Sequence, residues 1–139
     1  MANETTEQKF RNIFKNRKGY WIRKLRVDYS STPFDYLILT EKYNYATEVK
    51  EWKKGKFFYP EQRIDLHQIV GLQRFNDMGN LFISYILINR PGVFMVCIPL
   101  ETWLMIGRAR YTVDDFTVGI FSEFLVMFDD LFINAYFPL

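Results

Sequence analysis

The chain is poor in the residues that bind soft metals. It holds one cysteine, Cys97, and one histidine, His67, in 139 residues. A structural zinc site takes four nitrogen or sulfur ligands, so a single chain of this composition cannot build one. A lone cysteine has no intrachain partner, and Cys97 lies within the apolar run GVFMVCIPL. It reads as a buried structural thiol in a reducing compartment. No apolar run approaches membrane-spanning length without a charge or a Pro/Gly break. The opening residues MANETTEQKF lack the apolar stretch of a signal peptide. These absences together predict a cytoplasmic protein with no membrane partner. No repeat, low-complexity segment or linker interrupts the sequence. At 49% hydrophobic, residues 1–139 are expected to bury one core as a single domain.

Net charge is only +2, but it is unevenly placed. Met1 to Arg63 carries 14 Lys and Arg against 8 Asp and Glu, whereas Ile64 onward carries 4 against 8. A basic first half suits a polyanionic partner, and it suits a solvated Lys-rich surface equally well. Aromatic residues, at 19%, favour a fold containing sheet.

Helical spacing of Phe10, Ile13 and Phe14 predicts a first helix over Thr5 to Arg17, capped by Thr5 or Thr6 and ended by Gly19. The segment YWIRKLRVD alternates as a strand, and YSSTP is a loop. Phe34 to Lys56 reads as a hairpin: FDYLILT, a polar turn at Glu41-Lys42-Tyr43-Asn44, then the alternating YATEVKEW. A basic aromatic loop, WKKGKFFYP, leads to a second helix from Pro60 and Glu61 to Gly79. LFISYILI and GVFMVCIPL have the near-continuous apolar character of central strands. PLETWLMIGRAR continues the second of these or turns into a short helix. The tail from Asp114 is strongly aromatic and is expected to be helical in its middle. Its aromatics are expected to be mostly core, and some excess over what one small domain can bury points to a homodimer interface.

In the second arm of the hairpin Ala46, Glu48 and Lys50 share one face, and Thr47, Val49 and Glu51 the other. Hairpin pairing brings Asp35, at the start of the first arm, to the far end of the second. Glu48 and Lys50 are either a surface ion pair or part of a divalent-metal site. Asp35 is harder to assign to the surface, since strands disfavour Asp. Glu7 fits a first-turn acid that complements its helix dipole. His67 fits a packed or capping imidazole. Lys53, Lys54 and Lys56, beside Phe57, Phe58 and Tyr59, either solubilise the loop or contact phosphate.

Asp35 followed by Glu48-Val49-Lys50, behind an N-terminal helix, resembles the PD-(D/E)xK nuclease superfamily, with Pro33-Phe34-Asp35 standing in the place of the Pro-Asp pair. The stretch from Phe34 to Phe75 is similar to the RecU-type Holliday-junction resolvases. The features that carry the likeness are Asp35-Tyr36, Glu48-Val49-Lys50-Glu51, the lysines from Lys53 to Lys56, Tyr59-Pro60 and His67-Gln68. The resemblance spans roughly residues 5–107. It departs from the family where a long stalk is expected between the first two core strands. Only Tyr29-Ser30-Ser31-Thr32-Pro33 stands there, so the nuclease centre is better supported than junction preference.

The resemblance implies an α/β, restriction-endonuclease-like core: a mixed central β-sheet of about five strands flanked by helices. It implies phosphodiester hydrolysis dependent on Mg²⁺, with Mn²⁺ able to substitute. Asp35 and Glu48 would be metal ligands and the Val49 carbonyl a third, since Mg²⁺ prefers oxygen donors. Lys50 would act on the attacking water and the transition state. Glu7 stands as the additional acidic residue, and Gln68 as a group supporting the site or positioning phosphate. DNA, branched and bound by a homodimer, is the implied partner, with Lys24, Arg26, Lys53, Lys54, Lys56 and Arg63 as contacts. Alternatives are a general or flap-type nuclease without junction preference, a non-catalytic DNA-binding protein on the same scaffold, and a structural interaction module.

Overall fold

The computed structural model of the protein describes residues 4–25 and 33–139. Helix α1 (Thr6–Phe14) opens with a capping box. The Thr5 hydroxyl accepts from the Gln8 N–H at 3.1 Å, and the Gln8 side chain accepts from the Thr5 N–H at 2.8 Å. Two donors that a helix start leaves open are thereby satisfied. The helix ends at Phe14, short of Arg17, because Asn16 turns the chain at a φ of 68° before Gly19 is reached.

Five strands form one sheet: β1 (Trp21–Lys24), β2 (Tyr36–Leu39), β3 (Asn44–Glu51), β5 (Phe82–Arg90) and β6 (Phe94–Pro99), in the order β1-β2-β3-β5-β6. The β2–β3 hairpin is antiparallel as expected, β3 and β5 run parallel, and β5–β6 is a second antiparallel pair. The sheet is therefore mixed, five-stranded and flanked by helices, as the sequence suggested. The expected continuation of the first strand to Asp28, with most of the loop after it, lies outside the described residues.

Both faces of this sheet are covered, and that sorts the aromatic residues. On one face Ala46, Ile86, Ile88, Val96 and Ile98 pack with Leu72, Trp52, Phe58, Trp103 and Phe116. On the other Tyr36, Ile38, Tyr45, Val49, Leu87 and Cys97 pack with Phe10 and Phe14 of α1 and with Phe132 and Phe137 of the tail. Two cores, one per face, absorb what a single core could not. The tail's Phe116, Phe121, Phe132 and Phe137 are at most 2% exposed. These four rings are buried in their own chain, so they are not the surplus expected at a homodimer interface.

Other expectations shift at the boundaries. The helix expected from Pro60 to Gly79 is two, α2 (Pro60–Arg63) and α3 (Leu66–Asn76), separated by an extended, buried Ile64. Asp65 restarts the helix: its N–H donates to Gln68 Oε1 at 3.0 Å. Inside the basic loop, β4 (Phe57–Phe58) pairs antiparallel with β7 (Tyr111–Thr112), making a two-stranded ribbon. Of the two apolar strands only β5 is central. The outer strand β6 stays buried because Val126 donates its N–H to Met95 O at 2.9 Å and Val96 bridges to Leu125, covering the free edge. After β6 the chain turns into α4 (Leu100–Ile106), capped by left-handed Gly107. The tail is helical at its ends, α5 (Val113–Thr117) and α6 (Asp130–Tyr136), while its middle holds only a 3₁₀ turn at Ser122–Phe124. No helix among the described residues is long and apolar enough to cross a membrane.

Candidate active site

Strands β2 and β3 pair from Leu39–Asn44 to Tyr36–Thr47. Just beyond, a side chain replaces the ladder: Asp35 Oδ2 accepts the Val49 N–H at 2.9 Å. An extended residue directs its N–H and C=O to the same edge. The Val49 carbonyl therefore faces the side of β3 on which the Asp35 carboxylate sits.

Glu48 lies between these two contacts in the chain, on the face it shares with Ala46 and Lys50. It is 0% exposed, and neither of its carboxylate oxygens has a hydrogen-bond partner. Among the described residues only three buried side-chain polar atoms are left so, and two belong to Glu48 (the third is Thr47 Oγ1). Burial foremost, and the adjacent Asp35 after it, push the Glu48 carboxyl up to about 10, with Lys50 pulling the other way. Asp35 can bond to Glu48 only when one of the pair holds a proton, since two ionised carboxylates repel. A donor-less, buried carboxylate beside a second one is destabilising unless a proton or a cation joins them.

That donor set fits a hard divalent cation. Two carboxylates and a backbone carbonyl are all oxygen, as Mg²⁺ and Mn²⁺ prefer. Among the described residues no three His, Cys, Asp or Glu side chains are grouped to hold a metal. A cation held by Asp35, Glu48 and Val49 would complete its shell from water and substrate, which is usual for Mg²⁺.

The remaining candidates fall in different places. Lys50 is half-exposed on the face of Glu48 and close enough to oppose its shift. Glu7 is not gathered into the carboxylate pair. Its Oε1 accepts from Lys24 Nζ at 2.6 Å and from the Tyr36 hydroxyl at 3.0 Å, on the α1 face of the sheet. Its charge still reaches Glu48, as the smallest of the raising influences. Lys24, expected on DNA, is partly exposed and paired with Glu7. Gln68 is buried, and its Oε1 is used in the start of α3. His67 is half-buried on the same helix. Arg63 donates to the Glu51 backbone carbonyl and stacks 5.4 Å from the Phe58 ring centre, so it braces β3 against α2. Lys53, Lys54 and Lys56 are exposed as expected. Arg26 lies outside the described residues.

Sequence reasoning gave Glu51 no task, yet it fixes α1 to the sheet. Its Oε1 accepts from the Thr6 hydroxyl at 2.7 Å and the Thr6 N–H at 3.3 Å, and Asn89 Nδ2 donates to that hydroxyl at 2.9 Å. The hydroxyl of Thr6, foremost, holds the Glu51 carboxyl below its usual range. The signal was present in the pleat: Glu51 points away from Glu48, towards the face that α1 covers. Because Glu7 follows Thr6, this contact places Glu7. Glu51→Ala is expected to cost about 1–2 kcal/mol, read as a lower urea midpoint at pH 7. A midpoint equal to wild type would show that the contact does not hold α1.

No protein-family model matches the chain, and no curated protein matches it. Among solved structures it is similar to Hjc, a Holliday junction resolvase from the archaeal hyperthermophile Archaeoglobus fulgidus, with a TM-score of 0.44 and 17% identity. The alignment covers 60% of this chain and 66% of that one, just under two thirds of its length.

Proposed function

We propose that the protein is a metal-dependent DNA endonuclease on a restriction-endonuclease-like core, acting on branched DNA as a homodimer that presents two sites to two strands. The observation that carries this reading is the Glu48 carboxylate, wholly buried without a donor, set against Asp35 on the face of Lys50. A group so costly to bury points to a functional site over a structural one.

A hard cation held by Asp35, Glu48 and the Val49 carbonyl would neutralise charge on a scissile phosphate and activate a water. The chain's own residues supply the rest. Asp35 is oriented by the Val49 N–H, so its second oxygen stays available. Lys50 provides the positive charge on the same strand face, positioned to orient the attacking water and to stabilise charge that builds on the phosphorus oxygens. Glu7, held in place by Lys24 and Tyr36, adds a negative charge behind the site that keeps it selective for cations.

Asp35→Asn is the direct test. The variant is expected to lose Mg²⁺-dependent cleavage of labelled DNA by roughly two to three orders of magnitude while still shifting the same DNA on a gel. Retained cleavage removes the assignment. Running four-way junctions beside linear duplex sets the substrate: symmetric nicking of the junction, or unselective degradation as in a general or flap-type nuclease.

One observation favours a second reading. Both Glu48 oxygens are sealed from solvent, as suits a DNA-binding protein on this scaffold without turnover. It predicts a shift without cleavage under Mg²⁺ and under Mn²⁺.

A further inference from the structure

The C-terminal part of the chain, from Ile64, has four basic residues: Arg74, Arg90, Arg108 and Arg110. Folding carries two of them, Arg90 and Arg110, to the loop that follows β3. Arg90, at the end of β5, donates to the Gly55 carbonyl at 2.6 Å and lies 4.5 Å from the Trp52 ring centre. The pairing of β4 with β7 sets Arg110 4.4 Å from the Phe57 ring centre, with Lys56 at 5.7 Å from the same ring. Arg108 and Lys53 have carboxylate neighbours, Asp115 at 3.4 Å and Glu51 at 3.6 Å. Lys54, Lys56, Arg90 and Arg110 have none among the described residues. An acidic half of the sequence thus contributes two of its four arginines to one basic, aromatic end of the molecule.

We infer that this ribbon end, Lys54, Lys56, Arg90 and Arg110, is a preformed contact for the phosphate backbone of a nucleic-acid duplex flanking the cleavage site. The inference rests on the nuclease reading above and extends it to how the substrate is held. Like charges gathered on one surface repel, and a polyanion relieves that repulsion by neutralisation and counterion release. Rings and a carbonyl already fix the arginine heads, so little side-chain freedom is lost when phosphate arrives. A duplex presents a closely spaced run of phosphates, one per about 3.4 Å of each strand. An acidic peptide has no such regular charge repeat, and it predicts no preference for duplex.

The test is binding of a labelled duplex of generic sequence by the full chain in chelator, with no divalent ion, across a salt series. Wild type is expected to show a steep linear dependence of log K on log salt. Lys54→Gln with Arg110→Gln should lower that slope by about two and weaken binding at least about tenfold, equally for unrelated sequences. Lys54→Gln alone, in an exposed loop, should lower it by about one; a thermal midpoint within the error of wild type shows that both variants fold. Slopes unchanged in folded variants overturn the ribbon contact, as does wild-type binding without salt dependence. Loss of cleavage in Asp35→Asn is read separately with Mg²⁺, so the ribbon can fail while the nuclease reading stands, and the reverse.

Discussion

Replacing Glu48 by Gln is expected to make the metal-free protein more stable and the enzyme inactive. In wild type at pH 8 the buried Glu48 carboxyl, beside Asp35, must keep a proton that the unfolded chain releases, and that uptake costs stability. A glutamine of the same shape brings an amide that Asp35 can accept from, with no proton to take up. Removing that cost is worth about 1–3 kcal/mol. For a chain of this length each kcal/mol moves the midpoint by about 3–5 °C, so a gain of roughly 5 °C is expected in chelator at pH 8. The pH dependence has a definite sign. The folded Glu48 carboxyl sits at about 10, above its ordinary 4.5. The native state therefore keeps a proton that the unfolded chain has released. This contribution to stability is fully present below pH 4.5 and is lost as pH rises towards 10. Wild type should grow less stable over that window, and Glu48→Gln should be flatter. Mg²⁺ should raise the midpoint of wild type by binding the native state, and leave the variant unmoved. Cleavage should fall by roughly three orders of magnitude. A variant that melts below wild type in chelator at pH 8 would contradict the burial argument.

The part of this site that was legible in the sequence is the part set by the period of a strand. Alternation put Glu48 and Lys50 on one face and Glu51 on the other, and the polar turn at Glu41 to Asn44 paired Asp35 with the far end of β3. Both follow from local geometry. The Glu7 placement did not, because it depends on where α1 is anchored. Spacing within the helix shows which residues share a flank, but not that Thr6 binds Glu51 or that Lys24 takes up Glu7. Arg90 and Arg110 were hidden for a similar reason. They lie 37 or more positions beyond Lys53 in the sequence, and only the β4–β7 ribbon and the β3–β5 pairing bring them back. The break in the helix after Arg63 was missed because Ile64 continues the apolar period. The restart at Asp65, with Gln68 three residues on, is a capping signal that the hydrophobic pattern masks.

Gly71 ties the outer helix to the same carboxylates, and a single methyl group there is expected to affect both stability and chemistry. In the interior of a helix Gly→Ala ordinarily stabilises by about 0.8–1 kcal/mol. In α3 the sign is reversed by what lies opposite. A Cβ on Gly71 would meet the Pro33 carbonyl oxygen at 2.4 Å, its Cβ at 2.6 Å and its Cα at 2.8 Å. Most of that is backbone, so relief requires the segment to move; no side chain can simply rotate away. Overpacking of this kind costs about 1–3 kcal/mol. Phe34 is buried and packs edge-on against Phe75 of the same helix, 5.6 Å between ring centres. A push on Pro33 is therefore not absorbed locally and passes to Asp35, whose bond to the Val49 N–H sets the pair. Misplacement by about 1 Å costs about a hundredfold in rate. Gly71→Ala should thus lower the urea midpoint and cut cleavage about a hundredfold, with duplex binding in chelator unchanged because the ribbon lies at another end. Val70→Ala, one position away and 39% exposed, should leave cleavage intact. A Gly71→Ala protein that gains the usual helix stability and cleaves normally would show that the Pro33 segment yields freely, and that the position of Asp35 is set by β3 alone.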